Sequence, residues 1–183
     1  QMGRPSCPLP TADVATTTTT WATPPPSGLR VTWLGHSTTV IELDGVVVMT
    51  DPQFSEFAAP VDAGVERFQP PPIPLEQLPA VDVVVISHDH YDHLDMKTVQ
   101  RLAAAQPGLR FFVPLGIGSH LERWGIDGAR VAEFDWGDEV VVDGVRLIST
   151  PSRHFSGRSG FDANRTLWTS WVLRGPRHRL GFS

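Results

Sequence analysis

The densest cluster of chemically active side chains is SHDHYDHLD, residues 87–95, which holds three histidines and three aspartates among nine residues. Within it, metal-ligand types recur as HxHxDH, at His88, His90, Asp92 and His93. In extended backbone, side chains two residues apart point the same way, so His88 and His90 can bind one cation. A turn into the following helix would direct Asp92 and His93 toward another. The spacing therefore predicts a site for two metal ions.

The donor types indicate which metals and which reaction this site suits. Imidazole and carboxylate without thiolate fit Zn²⁺, with Fe or Mn as alternatives. Two such ions, about 3.5–4 Å apart, activate water at neutral pH and polarise a carbonyl or phosphoryl oxygen. Hydrolysis is therefore the predicted chemistry. The competing interpretation is a polar loop that only caps a strand, and four ligand-type residues directly after an apolar run argue against it.

A third imidazole is needed to complete the first cation's ligands. His154 is the predicted donor, because LISTPSRH repeats the pattern of a strand that ends in a polar loop. His36, in WLGHST, also follows a predicted strand and competes for the role. We interpret His120 and His178 as surface or otherwise satisfied polar residues.

The elements around the cluster predict a strand-rich α/β protein. VDVVVI, residues 81–86, is apolar without alternation, which is typical of a strand buried on both faces. A helix is predicted over LDMKTVQRLAAAQPG, with Asp95 as its cap and Pro107-Gly108 at its end. Asp44-Gly45 predicts a hairpin turn. Further strands are predicted at LRVTWLG, TTVIEL, VVVMTD, RFFVP, ARVAEF, EVVVDGVRLIST, TSWVL and HRLGF, and a short helix at GIGSHLERWG.

Composition limits the partners and the setting. With 15 Lys and Arg against 20 Asp and Glu the net charge is −5, so no nucleic-acid partner is expected. The single cysteine, Cys7, cannot form an internal disulfide. No segment has the roughly 20 apolar residues of a membrane-spanning helix. We expect a cytoplasmic protein, with association to a membrane surface left open.

Residues 1–28 differ in composition from the rest of the chain. They carry TTTTT and PPP, which favour extended backbone over a packed element. We predict a flexible arm here, either pinned to the body by Trp21 or disordered. The domain is expected to occupy residues 29–183.

Four longer segments resemble one protein family. They are GLRVTWLGHSTTVIELDGVVVMTDP, VDVVVISHDHYDHLD, the VPLG…HLERWG stretch and STPSRHFSGRSGFDANRTLWTSWVL. HxHxDH is similar to the metal motif of metallo-β-lactamase-fold hydrolases. The segment around His154 narrows the resemblance to the branch of N-acylphosphatidylethanolamine-hydrolysing phospholipase D and its bacterial relatives.

This resemblance implies a fold and a role for each matched residue. The fold would be an αββα sandwich with a dinuclear site at one edge of its two sheets. His88, His90 and His154 would hold the first metal, and Asp92 and His93 the second, with Asp92 also helping to orient the attacking water. Asp51, in TDP, would hydrogen-bond a liganding histidine; a simple turn aspartate is the alternative.

The sequence also departs from the family pattern. The family's chain continues past the strand matched by residues 179–182 to an aspartate that bridges the metals and later to a further histidine. We therefore expect only the N-terminal part of the sandwich, poorly stable and inactive by itself. A non-catalytic fragment or pseudo-enzyme is the corresponding alternative function.

The substrate is predicted less directly than the site. Arg153, Arg158 and Arg165 surround the His154 segment and could clamp a phosphodiester. By resemblance, the sharpest prediction is phospholipase D-type cleavage of an N-acyl phospholipid; hydrolysis of a lactone or another ester needs the same metals. A small-molecule or lipid substrate is therefore expected, and the sequence predicts no oligomeric state. Eight aromatic residues in or near loops are expected mostly to fill the core, namely Phe54, Phe57, Phe68, Trp124, Trp136, Phe155, Phe161 and Trp168.

Overall fold

A computed structural model describes residues 21–61 and 64–183 and contains two sheets. The first has six strands that lie side by side in chain order. Its first three strands run antiparallel, and the third to sixth run parallel. The strands are β1 (Leu29–Gly35), β2 (Thr38–Leu43), β3 (Val46–Thr50), β4 (Val83–Val85), β5 (Arg110–Pro114) and β6 (Val131–Phe134).

The second sheet is antiparallel and has the strand order β10-β9-β8-β7. Two α-helices and two short 3-10 helices, at residues 75–77 and 128–130, connect the strands. The remaining elements are β7 (Glu139–Val142), β8 (Val145–Thr150), β9 (Ser170–Arg174), β10 (Arg179–Phe182), α1 (Met96–Ala105) and α2 (Gly118–Arg123).

The apolar run at residues 81–86 contributes buried side chains to both faces of the first sheet. Val83 and Val85 pack toward the second sheet, whereas Val84 and Ile86 pack toward the helices. Because alternate side chains point to opposite faces, a strand covered on both sides needs apolar residues throughout. The strand itself is shorter than predicted and covers only Val83–Val85.

Two apolar cores follow from this arrangement. One lies between the first sheet and helices α1 and α2, and the other between the sheets. Trp171 is fully buried in the second core and donates from Nε1 to the carbonyl of Ile86 at 2.8 Å. Helices, first sheet and second sheet are thus three successive layers of the predicted αββα sandwich. Within residues 21–61 and 64–183 no α-helix covers the outer face of the second sheet.

A polar contact, here called the Asp44 clasp, joins the edges of the two sheets. Asp44 and Gly45 both have positive φ in the predicted hairpin turn between β2 and β3. The Asp44 carboxylate accepts hydrogen bonds from the backbone N–H of Arg177 and His178, at 2.8 and 3.0 Å, and lies 2.7 Å from His178 Nδ1. Any Cβ at Gly175 would lie 2.3 Å from Asp44 Oδ2, so this close approach requires glycine.

Several local predictions are confirmed. Asp95 caps α1 by accepting from the backbone N–H of Lys97, and it also accepts from the N–H groups of Phe54 and Ser55. Trp21 packs partly buried against the core below the helices. The rest of the predicted arm, residues 1–20, lies outside the described residues. No helix in the described part of the chain has the length and apolar character needed to cross a membrane.

Candidate metal centre

The directions of the strands explain why distant polar segments meet. β1 and β3 are both antiparallel to β2, and β4 is parallel to β3, so β1, β3 and β4 all end at one edge of the sheet. His36 follows β1, Asp51 follows β3 and His88 follows β4. His154 follows β8 of the second sheet and reaches the same place.

Three imidazoles converge here into what we call the His88 group. His88 Nε2 lies 2.9 Å from His90 Nδ1 and 3.0 Å from His154 Nε2. A single proton on His88 Nε2 cannot satisfy both contacts, whereas a cation can accept a lone pair from all three rings. The donor set therefore fits a metal ion, and it unites the three residues predicted for the first site.

The environment favours the neutral form of His88 and His90. Burial, together with the charges of the neighbouring histidines, lowers the pKa of His88 to about 2. Burial and then the charge of His154 lower the pKa of His90 as well. Neutral imidazole is the form that binds metal ions, so these two lowered pKa values favour cation binding.

A second set of donors, the Asp92 group, adjoins the first and consists of His36, Asp92 and His93. Asp92 Oδ2 lies 2.8 Å from His36 Nε2 and 3.6 Å from His93 Nε2. The rings of His93 and His88 are 4.1 Å apart between centroids, so the two groups are neighbours. About half of the His36 and Asp92 side chains is exposed, which leaves this group open to water and ligands.

Asp51 contacts one donor of this site, His93, at the ring nitrogen Nδ1. It is fully buried and accepts from the N–H and Oγ–H of Ser87, at 2.7 and 2.5 Å, and its Oδ2 lies 2.7 Å from His93 Nδ1. Burial would lower the pKa of His93, but the hydrogen bond and charge of Asp51 outweigh it and the pKa rises. Burial in turn raises the pKa of Asp51. The predicted contact with a liganding histidine is present; its effect on metal binding stays a prediction.

Asp89, between the two histidines, points the opposite way and anchors another segment. Its buried carboxylate accepts from the backbone N–H of Gly157 at 2.7 Å and from Thr166 Oγ1 at 2.9 Å. Both partners belong to residues 151–169, the loop that carries His154. Sequence reasoning gave Asp89 no role; it lies after the end of β4, and its carboxylate turns to the loop while the neighbouring His88 and His90 contact each other.

The three arginines of the predicted clamp occupy different environments. Arg158 donates to the carbonyls of Asp89 and Leu94, at 2.6 and 2.8 Å, and its guanidinium lies 4.0 Å from the centroid of the Tyr91 ring. These contacts favour a structural role for Arg158. Arg153 and Arg165 are exposed. Arg153 also lines a cavity of about 200 Å³ together with His88, His93 and His154.

A larger groove of about 690 Å³ begins at the Asp92 group, which contributes His36 and Asp92 to its wall. Its lining includes the exposed apolar side chains Val31, Trp33, Val65 and Phe68. The expectation that these loop aromatics mostly fill the core is wrong, since only Phe54 and Trp124 of the eight pack against it. All eight are partly or largely exposed, and Phe161 is 92% exposed.

Comparisons with known proteins agree with this fold. Residues 47–183 match a family model described as a beta-lactamase superfamily domain, and the chain belongs to that family. It is 50% identical over 157 residues to an uncharacterized protein of Mycobacterium tuberculosis, covering 85% of this chain and 42% of that protein. It is 41% identical over 164 residues to N-acyl-phosphatidylethanolamine-hydrolyzing phospholipase D 1 of Caenorhabditis elegans, covering 85% and 46%.

Solved structures show the same fold. The metallo hydrolase Igni18 from the archaeon Ignicoccus hospitalis superposes with a TM-score of 0.59 at 23% identity, covering 85% of this chain and 60% of that one. The chain spans less than half the length of the Mycobacterium tuberculosis and Caenorhabditis elegans relatives. The metallo-β-lactamase fold predicted from the sequence is thereby confirmed.

Proposed function

We propose that this protein is a dinuclear metal-dependent hydrolase of phosphodiesters, acting on N-acyl phospholipids in the manner of a phospholipase D. The observation that carries the proposal is the pair of adjacent donor sets, the His88 group and the Asp92 group, at one edge of the first sheet. The Caenorhabditis elegans relative is, by its name, a hydrolase of this lipid class.

The donor residues would divide two cations between them. His88, His90 and His154 would hold the first, and Asp92 and His93 the second. Zn²⁺ suits these nitrogen and oxygen donors, and Fe or Mn also fits. When bound, such a pair of ions polarises the phosphoryl oxygen and makes water nucleophilic at neutral pH.

The protein's own residues would position the reactants. Asp92 is half exposed at the mouth of the site, so its carboxylate can orient an attacking water. Asp51 binds His93 through Nδ1 and so directs His93 Nε2 toward Asp92. Such supporting contacts typically change metal affinity or activity by about 10–100-fold.

The groove supports a substrate with an apolar chain. It opens from His36 and Asp92 and exposes Val31, Val65 and Phe68 along its wall. Burying apolar surface there would stabilise a bound acyl chain while the phosphodiester lies at the donor groups. Contact with the surface of a membrane is the corresponding proposal for partners.

Arg153 is the best placed of the three arginines to bind phosphate, because it lines the same cavity as His88 and His154. Replacing Arg153 with alanine should raise KM for a phosphodiester, whereas Arg165→Ala should leave it unchanged. An equal KM for both variants would show that Arg153 does not bind the phosphodiester.

A count of bound metal ions and an assay of lipid hydrolysis together test the proposal. Protein purified without chelator should contain about two ions per chain by elemental analysis, and His88→Ala combined with His90→Ala should abolish binding at the first site. His178→Gln is the control, because His178 contacts Asp44 and neither donor group. The unsubstituted protein should release phosphatidic acid from an N-acyl phospholipid in vesicles.

Two results would refute the proposal: retention of a single ion per chain, or hydrolysis of lactones without hydrolysis of phosphodiesters. The same assay tests the expectation that the 183-residue chain alone is inactive, which neither the structure nor the comparisons support.

A further inference from the structure

His36 contacts the Asp92 group without belonging to the HxHxDH motif. Its Nε2 lies 2.8 Å from Asp92 Oδ2, and its ring packs edge-on against His93 with 5.1 Å between centroids. The oxygen it touches is also the Asp92 atom that lies 3.6 Å from His93 Nε2. His36 therefore contacts the same Asp92 oxygen that faces His93.

The backbone places His36 there at a conformational cost. His36 has a φ of 47°, in the left-handed region that non-glycine residues avoid, and it follows Gly35 with a φ of 106°. The pairing of β1 with β2 shifts register between Trp33 and Gly35. The Trp33 indole then donates to the His36 carbonyl at 2.8 Å, which fixes the strained turn.

The stability of the fold does not account for this contact. Side chains of His36 and Asp92 are 49% and 43% exposed, and an ion pair at that exposure contributes about 0–1 kcal/mol at most. A strained residue that makes an exposed contact is more typical of a functional site than of a structural support. The role of the contact lies in orienting Asp92.

We propose that His36 is a positioning residue of the second cation site: its Nε2–H donates to Asp92 Oδ2 and fixes the direction in which this carboxylate presents its remaining lone pairs. The inference rests on the proposed dinuclear function and adds a residue to it. His36 and Asp92 also line the groove, so the same contact sets the boundary between the metal centre and the apolar wall.

A cobalt titration of metal-free protein tests the inference without using catalysis. The visible absorption of Co²⁺ reports the geometry of its ligands, and Zn²⁺ competition gives the affinity of each site. His36→Phe removes the donor, whereas His36→Gln retains an N–H group. His178→Phe is the matched control, because it removes a histidine that contacts a different carboxylate, that of Asp44, in the clasp.

We expect His36→Phe to bind the first ion normally and the second about 10–100-fold more weakly, with an altered second-site spectrum. His36→Gln should recover most of the affinity and the spectrum, and His178→Phe should match the unsubstituted protein at both sites. Thermal unfolding of each variant checks that the fold is retained.

Three results would overturn the inference. Unchanged second-site binding in His36→Phe would show that Asp92 needs no support. Equal loss in the Phe and Gln variants would show that His36 coordinates the ion directly. Binding of only one ion by the unsubstituted protein would refute the dinuclear function itself, and this inference with it.

Discussion

Asp51 contacts the candidate metal centre through a neighbouring side chain, that of His93. Its carboxylate holds His93 Nδ1 and two donor groups of Ser87 in a fully buried position. Because the hydrogen bond occupies Nδ1, it fixes which nitrogen of His93 faces Asp92. A residue that reads in the sequence as a turn aspartate before Pro52 is thus also part of the support of the site.

Replacing Asp51 with alanine should weaken binding of the second ion about 10–100-fold, because the His93 ring loses the partner that orients it. Isothermal titration of metal-free protein with Zn²⁺ measures this, and Asp143→Ala, in a hairpin turn of the second sheet, serves as the control. Unchanged stoichiometry and affinity would leave Asp51 with only its turn role.

Local spacing in the sequence predicts which residues of the motif lie together, whereas contacts with residues far along the chain depend on the fold. His88, His90, Asp92 and His93 stand close together in a motif, so their meeting follows from local spacing. His36 lies far from them along the chain and joins them only because β1 and β4 end at the same edge. Its one signal was a histidine directly after a strand, and that signal becomes specific only once strand order is known.

At the scale of elements, the end of β4 organises two structures at once. His88 and His90 face the metal centre, while Asp89 holds the loop of His154 through Gly157 and Thr166. The loop and the segment after β4 are therefore joined on one side by the Asp89 carboxylate and on the other by the contacts of His88 with His90 and His154.

Asp89→Ala should destabilise the protein by about 1–3 kcal/mol for each buried donor left unsatisfied. It should also weaken the first metal site, because the loop that presents His154 loses its anchor. Denaturant unfolding and Zn²⁺ titration measure the two effects. Asp135→Ala, at an exposed turn, is the control, and equal stability of the two variants would contradict the anchoring role.

The Asp44 clasp gives the contact between the sheets a dependence on pH. Burial alone would raise the pKa of Asp44, but hydrogen bonds from the backbone of Arg177 and from His178 outweigh it, and the pKa falls far below its usual 3.8. A carboxyl with a depressed pKa in the folded state stabilises the protein above the unfolded-state value. That contribution disappears as the pH falls through the folded-state pKa.

Asp44→Asn should therefore lower Tm at pH 7 and lower it progressively less as the solution is acidified below about pH 4, where the aspartate begins to protonate in the unfolded chain. Thermal scans of both proteins from pH 7 to pH 2 provide the measurement. Asp143→Asn is matched, because it makes the same change at a positive φ in the β7–β8 turn. A Tm difference independent of pH would rule out the charge as its cause.

Periodicity predicts the elements, whereas their exact lengths depend on packing. The hairpin at Asp44-Gly45 and the cap at Asp95 are chemically specific signals, and both are confirmed. β4 is shorter than its apolar run because Ile86 is buried although it lies beyond the last residue paired in the strand. Burial therefore extends further along the chain than strand pairing does. The loop aromatics were misassigned because hydrophobicity alone does not distinguish a core side chain from the wall of a groove.

At the scale of the whole molecule, the groove places an apolar surface beside a polar centre. Val31, Val65 and Phe68 are each 45% or more exposed, and all three belong to the groove lining. Contiguous exposed apolar surface on a folded protein commonly marks a binding site. Here it favours substrates that are amphiphilic.

Phe68→Ser should raise KM for long-chain substrates about tenfold and leave short-chain analogues unaffected, since a buried phenylalanine contributes about 1.5–3 kcal/mol to an apolar contact. Kinetics with a series of acyl lengths provide the test. Phe161→Ser removes an equally apolar side chain outside the groove lining. An equal effect of both substitutions, or no dependence on chain length, would show that the groove does not bind the acyl chain of the substrate.

The alternation at His88, Asp89 and His90 also limits how this family can diverge in length. One residue inserted or lost between Ser87 and His90 would turn one imidazole toward the His154 loop and bring an unsuited side chain to the cation. The contact between His88 and His90 and the hydrogen bonds of Asp89 to the loop would therefore be lost together. We therefore expect an insertion or deletion of one residue within this tripeptide to disrupt the donor group and the loop anchor together.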